Sequence, residues 1–599
     1  MQLNPEQQQV VDSDTHCRVV ACPGSGKTRV ITTKIGAILK RHPGARVCAV
    51  TFTRDAAAEI KKRTVAEIGE EKFKRFCRAG TFHSLAIRQL RNAGKLGKVA
   101  KPAEQVAFLR RAMALAGPDL SYEDATKIVE TAKTSFGDCP EAETPLYLAY
   151  AEILKRNQVE DLFDVMRNAV TLMQRKELPP YPDQFMLVDE FQDTDHIQMR
   201  WVLEHAFSGT AVTVVGDDDQ SIYGWRGALG YPGMTEFVEK TKATEITLAV
   251  NYRCRAEILA AAEQLITFNS ARVPKRLFAS RGKGGSLSSL RFASREEEAD
   301  AIVTRVLQQA TPIPAEKSTV FKWTVPSESW AVLCRNRRLL DTTERALRCA
   351  GIRVRRSPGE SIWSRPPYVF MLSLMVSIQT GERDGIDHSL NYALARRVGA
   401  QAAHNVLAKI HCQYPESMHR LLDGGAIDTS EFVQEEATVV RDFCAKALAW
   451  RMQASCGRYE MVVRGIANWF AGFESGPDEK AFVAHMGDDL ARSTSGSLAQ
   501  RANSITNDLA GSSDNAKDGV FLYTMHGSKG LEFNNVWIIG TESTTIPSPK
   551  TEDFEEERRL MYVAMTRAKD NLIVSSVLPD TPSPFVLDAG LDPRLIAAA

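Results

Sequence analysis

The run Ala21-Cys22-Pro23-Gly24-Ser25-Gly26-Lys27-Thr28 limits the fold of this chain more than any other stretch. Val19-Val20 precede it. Behind it Ile31, Ile35, Ile38 and Leu39 fall at the i, i+4, i+7, i+8 spacing of one helical face. Strand, glycine-rich turn and helix in this order make a phosphate-binding loop. Backbone N–H groups cradle the phosphates, Lys27 reaches the terminal ones, and the Thr28 hydroxyl holds Mg²⁺. Ala21 stands where the pattern has its first glycine. Some look-alikes are ordinary strand-to-helix turns, but here lysine, threonine and both flanking elements are present.

Arg46–Val50 reads as a second buried strand, and strands alternate with amphipathic helices to about residue 90, as in a parallel α/β sheet. From 91 to 180 the texture is helical, with Glu104–Leu115, Leu146–Lys155 and Asp161–Met173 as examples. The sheet resumes with the apolar run Phe185–Val188, ending in Asp189-Glu190, and with Ala211–Val215, ending in Gly216-Asp217-Asp218-Asp219-Gln220. Acidic groups at the C-terminal ends of parallel strands face the crevice where ligands bind.

A Gly/Ser loop spans Arg281–Ser286. Trp330–Cys334, a helix from Leu339 to Ala350, and Ile352–Val354 then restore α/β texture. Residues 365 to about 490 are again helical, and the polar stretch Arg492–Asp518 reads as a flexible connection. The strands Val520–Tyr523, Val536–Ile539 and Asn571–Val574 close the chain. The expected fold class is therefore α/β, with two cores each interrupted by a mainly helical insertion. The first core takes 1–90 and 181–255 around the insertion 91–180; the second takes 256–364 and 516–599 around the insertion 365–515.

A formal net charge of +1 leaves no global field to draw a polyanion, so any nucleic-acid site is a local patch. Eleven cysteines without a C-x-x-C pair suit reduced thiols, and Cys22 reads as a small residue filling the turn. The N-terminus Met1–Gln7 lacks a basic-then-apolar leader, and no apolar stretch is long enough to span a bilayer. A cytoplasmic protein without membrane contact is expected.

Mg²⁺ wants oxygen ligands and keeps several waters, so Thr28 and Asp189 form a fitting metal pair. Glu190 is then placed to orient and deprotonate the attacking water. A strand-end acidic pair can also be a plain helix cap.

Asp189-Glu190-Phe191-Gln192-Asp193-Thr194 resembles the helicase motif of the UvrD/Rep/PcrA family in superfamily 1. Further family-like motifs follow in order: Leu3–Gln7; Thr51-Phe52-Thr53 with Ala56–Glu59; Gly80–Ser84; Gly216–Ala228; Asn251-Tyr252-Arg253; Thr524–Phe533; Glu556–Ala568. The resemblance implies two RecA-like P-loop ATPase cores and an ATP-dependent single-stranded DNA translocase. It also implies 3′→5′ helicase activity in repair, recombination or replication.

It also implies roles. Gln7 reads the adenine edge while Tyr252 and Arg29 sandwich the ring. Gln220 senses the γ-phosphate, Glu532 touches the ribose, and Arg253 and Arg567 act as arginine fingers. Such a finger is worth on the order of 10³–10⁵ in turnover.

Single-stranded DNA is bound by aromatic faces beside cations. Trp225 with Arg226, joined by Thr51, Phe52, Phe82, His83 and His526, could form that track. For Phe82 a core position is an equal alternative. The expected partners are single-stranded DNA and single/double-strand junctions. Self-association and accessory proteins are not readable here.

Two departures stand out. Arg54-Asp55 replaces the usual Asn-Lys, and Arg396-Arg397-Val398-Gly399 is a degenerate form of the Arg-Gly-Ile-Gly signature of the second insertion. A P-loop kinase or synthetase would leave Trp225, Arg253 and Arg567 without a role. A non-hydrolysing clamp would not need the complete catalytic set.

Overall fold

The apolar runs Cys17–Ala21, Val47–Thr51, Phe185–Val188 and Ala211–Gly216 become strands that are buried on both faces, the habit of a parallel sheet under helices. The computed structural model describes residues 3–117, 119–135, 140–313, 321–357, 359–413, 422, 427–511, 518–591 and 594–595. In it these runs join Cys77–Thr81 and Thr244–Leu248 in one six-stranded sheet. Its spatial order is Cys77–Thr81, Val47–Thr51, Phe185–Val188, Ala211–Gly216, Cys17–Ala21, Thr244–Leu248. Neighbours run parallel, with Val19 opposite Val215 and Val20 opposite Thr247. The loops after Ala21, Val188 and Gly216 therefore leave the sheet at the same edge.

Side chains alternate along these strands between two apolar layers. Val20, Cys48, Val50, Met186, Val188, Val212 and Val214 pack with Phe82 and Trp201. Val19, Val47, Ala49, Leu187 and Val215 pack with Ile31, Ile35 and Ile38 of the helix Lys27–Arg41. The stripe read from the sequence is the face that helix buries. A helical block, Pro102–Ala116, Tyr122–Thr134 and Pro145–Arg156, has its own small core around Leu109, Val129, Leu146 and Ile153, while the next helix, Leu162–Gln174, buries Val165, Ala169 and Val170 in the core of the sheet.

The chain forms two compact units. The first comprises residues 1–287, 547–571 and 584–591, so the late helix Phe554–Met565 packs in the same unit as the P-loop. The second comprises 288–546, 572–583 and 592–599. It holds most of a seven-stranded sheet in which Trp330–Cys334 lies between Val520–Thr524 and Phe533–Ile538, parallel to both. Its helical block has a core that includes Met371, Met375, Phe443, Val463, Ile466 and Phe470.

The expected flexible connection at Arg492–Asp518 is corrected. Leu498–Gly511 is a helix, because Leu498, Ala502 and Ile505 form an apolar stripe that is buried in this second core. Residues 512–517 of that stretch lie outside the described residues. No helix among the described residues is long and apolar enough to cross a membrane.

Trp201 ties the first unit together: it is fully buried, donates to Gln89 Oε1 at 3.0 Å and meets Phe82 edge-on. Trp201→Ala should cost roughly 3–5 kcal/mol in urea unfolding; wild-type stability in that variant would contradict this account of the core.

Candidate active site

The strand Cys17–Ala21 ends in a turn with two left-handed glycines, Gly24 at φ +63° and Gly26 at φ +81°. A Cβ on Gly24 would come within 2.6 Å of the Arg253 Cβ. The helix that follows starts at Lys27 with no side-chain cap on its first N–H groups, which have no partner inside the helix. Ser25 is buried, and its Oγ has no hydrogen-bond partner. An orphaned hydroxyl, open helix N–H groups and Lys27 together suit the phosphates of a nucleotide. Burial holds the Cys22 thiol protonated by pushing its pKa up.

The helix Pro5–Asp12 delivers Gln7 to this loop through a capping box with Asn4. Gln7 Nε2 donates to the Ser25 carbonyl at 2.9 Å, and its Oε1 accepts from Asn4 N at 3.1 Å. A carboxamide has two donors and two acceptor lone pairs. One of each is left over, the pair an adenine edge requires. Tyr252 is tied to the same loop: its N–H donates to the Gly24 carbonyl at 2.9 Å, and its hydroxyl accepts from Asn4 Nδ2 at 3.2 Å. Tyr252 and Arg29 are both half-buried.

Asp189 and Glu190 follow the strand Phe185–Val188. Glu190 is held at φ +51°, an unusual backbone for a residue with a side chain. Lys27 Nζ donates to Glu190 Oε2 at 3.3 Å. Burial works against the Lys27 ammonium, but Glu190, Asp217 and Asp189 outweigh it and its pKa is raised. Burial raises the pKa of Asp189, the Glu190 charge adds to the rise, and Lys27 opposes it. The carboxylates of buried Asp189 and half-buried Glu190, with the Thr28 hydroxyl of the loop, are oxygen donors of the kind that fit a hard divalent cation.

From Glu190 a continuous line of hydrogen bonds runs to Arg567. Gln192 Nε2 donates to Glu190 Oε2 at 2.7 Å, and Gln192 Oε1 accepts from Asp217 N at 3.0 Å. Asp217 Oδ2 accepts from Gln220 Nε2 at 2.5 Å. Gln220 Oε1 accepts from Arg567 Nη2 at 3.2 Å. Arg253 enters from the other side: its Nη1 donates to the Thr566 carbonyl at 3.2 Å. Asn251 places it, accepting from Arg253 N at 2.8 Å while donating to the Pro23 carbonyl at 2.7 Å. Burial, with the Arg253 charge behind it, lowers the Arg567 pKa to about 9. Arg567 thus remains a cation at neutral pH, buried beside a second arginine, where an anion would be stabilising.

Asp217, Asp218 and Asp219 are buried and close enough together to look like a metal cage. A protein cation fills it instead. Lys275 Nζ lies 2.8, 2.7 and 2.8 Å from the three carboxylates, and Arg272 pairs with Asp219 through two nitrogens at 2.9 and 2.8 Å. Asn251 and Gln192 lie inside motifs read from the sequence but had no role assigned there, and Lys275 lies outside every motif. The only signal for Lys275 is a charged residue in the segment Val273–Leu277, whose leucine is buried, and no spacing rule ties it to Asp217.

The expected DNA contacts separate by exposure. Trp225 is 50% exposed, with the Arg226 guanidinium 4.9 Å from its ring. Phe52 stacks on Tyr223 at 5.9 Å and 11°, and Tyr223 meets Trp225 edge-on at 6.5 Å. Tyr223 extends the aromatic row, although its place in the sequence did not single it out. His83 is half-buried with its ring edge-on to Phe163, and burial lowers its pKa, so it is neutral at pH 7.

Two expectations are corrected. The Phe82 ring is a core residue packed edge-on against Trp201, with no face left for a base. The Thr51 side chain is fully buried, and its hydroxyl accepts from Thr53 N. Glu532 and His526 lie in the second unit.

Comparison with known proteins gives two family matches. Residues 246–404 and 488–578 match the UvrD-like helicase C-terminal domain, and residues 7–226 match an AAA domain. The chain is similar to the ATP-dependent DNA helicase Rep of Escherichia coli K12, 28% identical over 96% of this chain and 90% of that protein. It is similar to the ATP-dependent DNA helicase PcrA of Leuconostoc citreum, 27% identical over 100% of this chain and 85% of that protein. DNA helicase II of Escherichia coli K12 is 28% identical, over 96% of this chain and 84% of that protein.

Removing the caged ammonium would leave three buried carboxylates without their central cation. Lys275→Met should destabilise the first unit by roughly 3–5 kcal/mol in urea unfolding. A variant as stable as wild type would mean that the cage is not held by charge.

Proposed function

The chain belongs with the UvrD/Rep/PcrA-like helicases, and on that premise we propose that it moves along single-stranded DNA in the 3′→5′ direction. It is an ATP-dependent DNA helicase. The observation that carries the reading is the hydrogen-bonded line Lys27–Glu190–Gln192–Asp217–Gln220–Arg567, which joins the phosphate loop to a finger arginine.

ATP lays its phosphates on the turn Cys22–Gly26 and Lys27, with Gln7 on the adenine edge and Tyr252 and Arg29 at the ring. Thr28 and Asp189 would hold Mg²⁺, which would offset the charge of the phosphates. Glu190, fixed by Lys27 and Gln192, orients the water and takes its proton. Arg253 and Arg567 meet the charge that develops on the transferring phosphoryl group, and Gln220 reports whether that group is present. Glu532 is assigned to the ribose and His526 to DNA by family resemblance alone, as is the 3′→5′ direction.

Phe52, Tyr223, Trp225 and Arg226 offer successive bases an aromatic row with a cation at its end, a sequence-independent way to hold a single strand. We propose the two parallel sheets as the two RecA-like cores, and the helical blocks 91–180 and 365–515 as their insertions. Work in the cytoplasm on single/double-strand junctions, during repair, recombination or replication, follows from this reading. A small-molecule kinase would have no use for an exposed Trp225 beside Arg226. A clamp without turnover would have no use for the finger arginines.

Poly-dT should stimulate ATP turnover many-fold, and the protein should unwind duplexes with a 3′ tail but not a 5′ tail. Trp225→Ala should weaken DNA binding by roughly 1–3 kcal/mol while nucleotide affinity stays unchanged. Turnover indifferent to DNA would overturn the helicase reading, and unaltered DNA affinity in the variant would overturn the track.

A further inference from the structure

Glu556 and Arg559 take no part in the site described above, yet both touch its aromatic loop. They sit on the helix Phe554–Met565, which Asp553 caps by accepting from Glu556 N at 2.8 Å. This helix runs directly into Thr566 and Arg567. Three turns before Arg567, Glu556 lays its carboxylate against Gly224. A Cβ on that glycine would overlap Glu556 Oε2; burial raises the Glu556 pKa, and the hydrogen bond from the Gly224 N–H works against that rise. One turn further on, Arg559 Nε donates to the Ser221 carbonyl at 2.9 Å, with its guanidinium also 3.3 Å from Asp553.

Ser221 directly follows the sensor Gln220, and Gly224 directly precedes Trp225. Helix and loop are thus joined at both ends: Arg567 to Gln220 at the nucleotide, Arg559 to Ser221 and Glu556 to Gly224 at the aromatic row. At 1.5 Å per residue the helix spans about 18 Å, and a rigid secondary element of this kind can carry coupling between its two ends. Tyr562, on the same side as Arg559, is fully buried, so this face of the helix is seated in the unit.

We propose that Glu556 and Arg559 are positioning residues that make the helix Phe554–Met565 a lever between the finger Arg567 and the DNA-stacking loop Ser221–Arg226. A shift of Arg567 on binding or losing the γ-phosphate moves the loop that holds Trp225, and a base stacked on Trp225 biases Arg567 in return. The proposal rests on the helicase reading above. It adds the part through which DNA accelerates hydrolysis.

The test compares ATP turnover with and without poly-dT in Glu556→Ala, Arg559→Ala, Gly224→Ala and the double variant Gly224→Ala/Glu556→Ala. Turnover without DNA and the KM for ATP should stay within about twofold of wild type in Glu556→Ala and Arg559→Ala, while the poly-dT-stimulated kcat falls at least about tenfold (a factor of ten in rate being a modest change in barrier). The double variant should lose no more than the worse single variant, because both changes break one contact.

Full stimulation in Glu556→Ala and Arg559→Ala would overturn the lever, and so would additive losses in the double variant. If an alanine variant fails to fold, Glu556→Leu and Arg559→Met, which keep bulk but can neither accept from the Gly224 N–H nor donate to the Ser221 carbonyl, are read by the same criterion. A wild-type protein without DNA stimulation would instead sink the helicase reading itself.

Discussion

The Asp217 carboxylate is the point on which the nucleotide site turns. One oxygen accepts from the caged Lys275 ammonium and the other from the Gln220 amide. A lone buried carboxylate would protonate or draw in water. Lys275 and Arg272 pack against the triad and hold the Asp217 carboxylate in one orientation. Gln220 is thereby fixed in orientation, its Nε2 committed to Asp217 and its Oε1 turned to Arg567. Buried ion pairs add little net stability against an apolar core of the same volume. Their return is geometric: a sensor amide that cannot flip.

The rest of the first unit reads as scaffolding for that geometry. The parallel sheet brings the ends of three strands to one edge, so the P-loop, Asp189-Glu190 and Asp217 converge without long loops. What is left unsatisfied is equally informative. Ser25 Oγ has no partner and the helix at Lys27 has no side-chain cap, while Arg567, though hydrogen-bonded, is buried beside the like charge of Arg253. A chain of phosphates, the ligand proposed for this site, would relieve all three. Preorganised donors of this kind cost stability in the resting protein and stabilise charge as it develops during reaction.

Much of this was legible in the sequence, because strands buried on both faces read as unbroken apolar runs. Phe185–Val188 and Ala211–Val215 were found that way, as was the apolar stripe of the helix after Lys27. The strand Cys77–Thr81 gave no such signal, since Arg78 and Gly80 interrupt it. Leu498–Gly511 was hidden by its polar residues, although Leu498, Ala502 and Ile505 carry the helical period. In the site, motifs supplied the residues proposed to meet ATP, and even for supports inside a motif, such as Asn251, they did not show what is supported. Lys275 and Asn251 act through partners tens or hundreds of residues away, and no local pattern encodes that. Phe82 shows the opposite failure: an aromatic at a strand-to-helix junction suits a base or a core equally well, and only the packing against Trp201 decides.

The central claim is that the nucleotide site and the aromatic loop are one mechanical unit, and thermodynamic linkage tests it most directly. Titrating the wild-type protein with a fluorescent oligo-dT, with and without saturating ADP–aluminium fluoride and Mg²⁺, gives one coupling factor. Titrating the analogue with and without oligo-dT gives the other. The account predicts that each ligand changes the affinity of its counterpart by the same factor, at least about fivefold. Affinities that ignore the second ligand in both titrations would contradict it.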